Sequence, residues 1–133
     1  MQGIVLAGQV RFLQSVHDPD VERCLVRGAE GILYEEWVTG DRPGVPYTSC
    51  PFMPYGWRTT EALWFEAVAY AYQITGDMAL AERIGQLLPD SEIGKGNVPD
   101  GGKGFAQGTR FVPNLMYYLS LLPRSVAPRS QDP

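Results

Sequence analysis

Apolar residues recur at three- and four-residue intervals along most of this chain, the spacing of helices that each bury one side. From about Gln2 to Val16, the positions Val5, Gln9, Phe12, Leu13 and Val16 predict a first helix with that stripe buried. Asp18 and Pro19 then form a start signal, an N-cap followed by a proline at the first helical position. Val21, Leu25, Gly28, Ile32 and Glu35 or Glu36 follow one side of a second helix as far as Trp37, and Gly40 ends it. A third helix starts after Thr59 or Thr60, with Glu61 in its first turn. Its sequence, EALWFEAVAYAYQI, is apolar on nearly every side. A helix without a polar face is expected at the centre of its neighbours. Asp77 caps a fourth helix, from about Met78 to Leu88, with Leu80, Ile84, Leu87 and Leu88 facing inward. A last short helix, VPNLMYYLSLL, is expected to begin near Pro113 and stop at Pro123.

Two segments break this periodicity. Between Gly40 and Arg58, GDRPGVPYTSCPFMPYGW holds four prolines and three glycines, too many for any regular element. It also carries Tyr47, Phe52, Met53, Tyr55 and Trp57, more aromatic area than a flexible linker uses. Those rings pack over a core, line a groove or meet a partner segment. From Asp90 to Gly104 the chain is glycine-rich, but GKGNVPDGGKG lacks the GxxxxGK[ST] order and the preceding strand of a phosphate-binding loop. We read it as a connection. Residues 1–122 form a helical-hairpin domain in this reading, and residues 123–133 a tail with little to bury.

The rhythm repeats. Placing Gln14 over Gln73, an offset of 59 residues (73 minus 14), puts Asp18 over Asp77, Leu25 over Ile84 and Phe12 over Ala71. Each copy reads as a long helix, a tight Asp-capped turn and a second helix. The fold class predicted is all-α, built of antiparallel helical hairpins that stack because a lone hairpin cannot bury its apolar face.

Composition narrows the function. The 133 residues suffice for one domain with a hydrophobic core. Eleven basic and fifteen acidic residues give a formal charge of −4, which disfavours the phosphate contacts that nucleic-acid binding requires. No apolar run reaches the ~18 residues of a membrane span, and the first apolar stretch lacks the basic n-region of a signal peptide. No compartment is implied. Cys24 and Cys50 have no CxxC spacing and read as free thiols more readily than as a disulfide. One histidine and two separated cysteines make no metal cluster, and no cofactor is implied. His17, beside Asp18, reads as a surface turn residue, because Asp18 is taken up with capping.

The turn ITGDMALAERI, preceded by an aromatic-rich helix, resembles the repeating unit of the (α/α) toroids of six-hairpin glycoside hydrolases and related polysaccharide lyases. The resemblance spans roughly residues 4 to 122, with VHDPDVERCL as a weaker turn and FVPNLMYYLSLL as a final inner helix. It implies a partial (α/α) toroid-like arrangement and a carbohydrate-active protein, with an oligosaccharide as ligand. A full toroid has about twice as many helices. The chain therefore looks like a C-terminal part of such a domain, with an N-terminal segment missing, or a reduced relative that completes its surface as a homo-oligomer.

Glycosidic cleavage needs two carboxyl groups about 5–9.5 Å apart. The candidates are Glu66, Glu61 and Asp100, with Asp41 in a second loop. Glu61 and Glu66 diverge by roughly 140° on one helix and do not face each other. Glu66 sits among Phe65, Val68, Ala69 and Tyr70, where burial raises a carboxyl pKa and suits it to acid catalysis. A hydrogen bond to Tyr70 or Gln73 is the structural alternative. Glu35 and Glu36 oppose a helix dipole and call for a cation such as Arg58 or Arg110. Trp57, Trp64, Tyr70 and Tyr72 offer flat faces to sugar rings, while Arg58, Gln107 and Arg110 bond hydroxyls or carboxylates; packing of those rings into the core is the alternative. Arg110, ahead of a helix starting near Pro113, is placed to reach back to Glu61 or Glu66. The competing function is a non-catalytic helical module for protein association.

Overall fold

The computed structural model describes residues 2–38, 61–90 and 102–123. Within them the chain is all-α: α1 (Gln2–Leu13), α2 (Pro19–Glu30), α3 (Glu61–Thr75), α4 (Met78–Leu87) and α5 (Gly102–Ser120). Helix α2 runs on without a break into a π-helical turn, Gly31–Glu36, and α4 closes in a short 3₁₀ turn, Leu88–Asp90. The helices pack against one another as a bundle, and α3 lies against each of the other four.

The central place of α3 follows from its sequence. Trp64, Phe65, Ala67, Val68, Ala69 and Ala71 are all buried, on more sides than one neighbour covers. The surrounding helices each contribute one side: Leu6, Ala7 and Val10 from α1, Leu25 and Ala29 from α2, Leu80, Ala81, Ile84 and Leu87 from α4, and Leu115 and Tyr118 from α5. Close approach of α1 and α2 rests on Gly28, where a Cβ would stand 2.5 Å from Leu6 Cδ2.

Both Asp-capped turns are present. Asp18 accepts from the backbone N–H groups of Asp20 at 2.9 Å and Val21 at 3.1 Å, with Pro19 at the first helical position. Asp77 accepts from Ala79 N–H at 2.9 Å. Before it, Gly76 adopts φ +67°, a left-handed conformation that glycine takes without steric cost. Thr75 Oγ1 ties this turn from both sides, donating to the Ala71 carbonyl at 2.9 Å and accepting from Asp77 N–H at 3.1 Å. The expected inner face of α4 is buried at all four positions, Leu80, Ile84, Leu87 and Leu88.

Three expectations are corrected. The stripe of α1 read as buried is largely in solvent, since Val5, Phe12 and Val16 are 59%, 43% and 46% exposed. A second stripe, Leu6, Ala7 and Val10, enters the core instead; α1 is apolar on both sides, so spacing alone does not choose between them. The matched positions Phe12 and Ala71 accordingly differ, one exposed and one fully buried. The last helix begins at Gly102, eleven residues before Pro113, which lies inside α5 with its ring exposed. Proline in a helix interior costs about 3 kcal/mol, and packing of α5 along α3 outweighs it.

Candidate functional site

The most unusual group in the core is Glu66, the one charged side chain that is fully buried among the described residues. Helix α3 carries it inward between Phe65 and Ala67. Arg11, from α1, places Nη1 2.8 Å from Glu66 Oε1. From α5, Asn114 turns its amide oxygen to Arg11, accepting from Nη1 at 3.2 Å and Nη2 at 2.5 Å. Three helices far apart in sequence thus meet at one ion pair whose acid is buried and whose guanidinium reaches solvent.

The next turn continues the polar seam. Gln14 Nε2 donates to Tyr118 Oη at 2.5 Å, and Tyr118 stands edge-on to Tyr70, with ring centroids 5.2 Å apart. Tyr117 makes a similar edge contact with Tyr118 at 5.3 Å. Going from Glu66 to Tyr70 and from Asn114 to Tyr118 is in each case four residues along one helix, so α3 and α5 run in the same direction past this point. Burial pushes the Glu66 carboxyl above its usual range, and the charge and hydrogen bond of Arg11 pull it only part of the way back. Burial also raises the Tyr70 hydroxyl, with smaller contributions from Tyr118 and Glu22.

Of the sequence candidates for catalysis and sugar binding, only Glu66, Trp64, Tyr70, Tyr72 and Arg110 have described side chains. Glu66 faces Arg11 and Asn114, and not Tyr70 or Gln73 as its helix position suggested. Trp64 is buried in the core, and Tyr70 and Tyr72 are half-buried. Tyr72 is turned towards Met78. Arg110 lies within α5, not ahead of a helix, and is exposed. Glu61 opens α3 and Gln107 lies in α5, but their side chains are outside the described residues, as are Trp57, Arg58, Asp41, Cys50 and Asp100 altogether. His17 is a surface turn residue, its Nδ1 2.9 Å from Glu22 Oε1. Cys24 is exposed with a free thiol. Among the described residues no three histidine, cysteine or acidic side chains gather to hold a metal, and no helix is long and apolar enough to cross a membrane.

Sequence reasoning missed Arg11 and Asn114. Nothing local marks them, since a cation 55 positions before its partner (66 minus 11) has no signature in spacing. Only an acid set within the apolar run from Leu63 to Tyr72 signals that a cation must come from elsewhere.

A second clamp joins α2 to α4. Arg83 Nε donates to the Leu33 carbonyl at 3.2 Å, within the π-helical turn, and its guanidinium lies 5.9 Å from the centre of the Tyr34 ring. Tyr34 Oη donates to the Ala79 carbonyl at 3.3 Å. The wide turn leaves backbone carbonyls out of ordinary helical register, and Arg83 uses one of them.

Compared with known protein families, curated proteins and solved structures, the chain finds no match.

Proposed function

We propose that this chain is a non-catalytic helical module for protein association, and that its working surface is the solvent side of α1. The observation that carries this reading is the exposed apolar stripe of that helix. Ile4, Val5 and Phe12 stand in solvent, as does Val16 just beyond the helix end, while Leu6, Ala7 and Val10 already fill the core. A surface helix normally gives its outer side to charged and polar residues. Several large apolar side chains exposed on one side of a helix mark it as a contact surface where they form one patch. Glu66 supports the same reading, because a carboxyl closed in by Arg11 and Asn114 is placed to join helices rather than to meet a substrate.

The test is binding of an environment-sensitive apolar dye at protein concentrations where the chain is monomeric. The dye should bind the wild type and be lost from a Val5→Ser/Phe12→Ser variant of unchanged helicity. Equal dye binding by both proteins would remove α1 as the working surface.

The second reading is a carbohydrate-active protein of the toroid-like kind, hydrolysing glycosidic bonds. It is favoured by the pair of Asp-capped hairpin turns and by a carboxyl whose pKa is raised one turn from Tyr70. In that reading Glu66 is the acid, and Glu61 or Asp100 supplies the second carboxylate. Proton donation requires Arg11 to swing away from Glu66. Calorimetric titration with neutral and acidic oligosaccharides tests it, and absence of heat across such a panel would set this reading aside.

A further inference from the structure

We infer that Arg11 is a binding site for a carboxylate, which meets the edge of the guanidinium formed by Nε and Nη2. This goes beyond the association reading and does not depend on it.

The guanidinium is held from one end. Asn114 Oδ1 accepts from both Nη1 and Nη2, and a single oxygen reaches both only from the end of the plane, between them. Glu66 Oε1 lies 2.8 Å from Nη1, and Gln14 Oε1 lies 3.4 Å from the same nitrogen. Three acceptors thus converge on Nη1, from α3, α5 and the turn after α1. Nε, which shares the other edge with Nη2, meets no acceptor among the described residues.

The pairing with Glu66 is itself incomplete. An arginine and a carboxylate that serve only to join two helices are best matched as a fork, with two parallel N–H···O bonds. Here the carboxylate uses one oxygen. Glu66 Oε2 is buried and has no hydrogen-bond partner among the described residues, a costly state for a buried acceptor. A fork to Glu66 would have to take either the Nε edge or the end that Asn114 holds. The arrangement instead fixes the plane of the guanidinium and leaves its side edge unused.

That edge can be reached. The Arg11 side chain is 37% exposed, and the nitrogen tied to the buried acid is Nη1. A ligand can therefore approach from solvent without displacing Glu66. Two parallel N–H donors in one plane match the two oxygens of a carboxylate. Charge narrows the class further. Glu66 balances Arg11, and the whole chain carries −4, so no long-range field gathers multiply charged anions such as phosphate. Recognition rests on fork geometry and suits a singly charged, planar group. The carboxylate belongs to a free organic acid or to an acidic side chain of a partner peptide. One forked pair at a surface is weak, with a Kd on the order of millimolar.

The experiment follows the arginine Nε–H resonances of the full chain by nitrogen-15 NMR, with Arg11 identified from the signal missing in Arg11→Lys. Butyrate is the probe and butyramide its neutral control, with sodium chloride and inorganic phosphate at matched ionic strength. The Arg11 Nε–H signal should move saturably with butyrate and stay in place with butyramide and chloride. Arg11→Lys keeps a cation for Glu66 but has no planar fork. Its butyrate affinity, followed on the backbone amides of α1, should fall about tenfold, the worth of one charge-assisted hydrogen bond. No saturable movement in the wild type overturns the site, and that result needs no variant to fold. Equal movement with chloride overturns it as a general charge effect, and stronger binding of phosphate overturns the carboxylate as its ligand. A capped peptide with one glutamate, compared with the same peptide carrying glutamine, separates the two sources. A glutamate peptide that binds more tightly than butyrate supports the site as part of a protein contact, and one that binds no more tightly supports it as a receptor for a free acid.

Discussion

Arg11 Nη1 and Glu66 Oε1 are 2.8 Å apart, with Glu66 fully buried and Arg11 about one-third exposed. The pair fixes α1 against α3, and Asn114 extends the junction to α5. A buried pair of this sort adds little net stability over an apolar replacement, yet losing one partner is costly because the other is left unpaired. Arg11→Met should therefore destabilise the chain by about 2–4 kcal/mol, the lower part of the range reflecting solvent screening at the exposed guanidinium. Arg11→Met/Glu66→Leu should recover most of that loss. Urea unfolding of the two variants checks this, and equal stabilities would mean that the pair is not coupled.

Glu66 should also leave a mark on the pH profile. Folding raises its pKa above the ordinary 4.5. The fold then binds a proton more tightly than the unfolded chain does, so this contribution to stability is complete below about pH 4.5 and is lost as pH climbs through the folded-state value. Glu66→Gln removes the titration. The stability of Glu66→Gln minus that of wild type should therefore grow as pH rises from about 4.5, measured by thermal unfolding at a series of pH values. A difference independent of pH would contradict the assigned shift.

The two glycines of the α1 region should respond with opposite signs. Gly8→Ala adds a methyl group in open space and should stabilise the chain by roughly 1 kcal/mol through helix propensity. Gly28→Ala puts its Cβ against Leu6 Cδ2 and should destabilise by about 1–3 kcal/mol. Denaturant midpoints separate the two effects. Stabilisation by both would mean that α1 and α2 pack less closely than Gly28 indicates.

The two caps are tests of the hairpin turns. Asp18→Ala and Asp77→Ala should each cost about 1 kcal/mol, with Asp18 the more costly because it receives two backbone N–H groups and Asp77 one. The reverse order in chemical denaturation would contradict the cap geometry.

Where local chemistry determines structure, the sequence reads correctly. Asp18–Pro19 and Gly76–Asp77 are visible because capping and a positive φ demand those residue types. The central place of α3 and the inner face of α4 follow from apolar spacing. What depends on tertiary choice stays hidden. Helix α1 offers two apolar stripes, and Leu6 facing Gly28 decides which one is buried. Helix α5 continues through Pro113 and starts among glycines, both against local propensity, because α3 gives it a surface. At the candidate site the raised pKa of Glu66 follows from its apolar surroundings in the sequence, but Arg11 and Asn114 arrive from other helices.

The most direct test of the account is binding of an environment-sensitive apolar dye to the wild-type chain and to its Val5→Ser/Phe12→Ser variant. Dye bound by the wild type and lost from a variant of unchanged helicity is the predicted result. Equal dye binding by both would contradict the solvent side of α1 as the working surface.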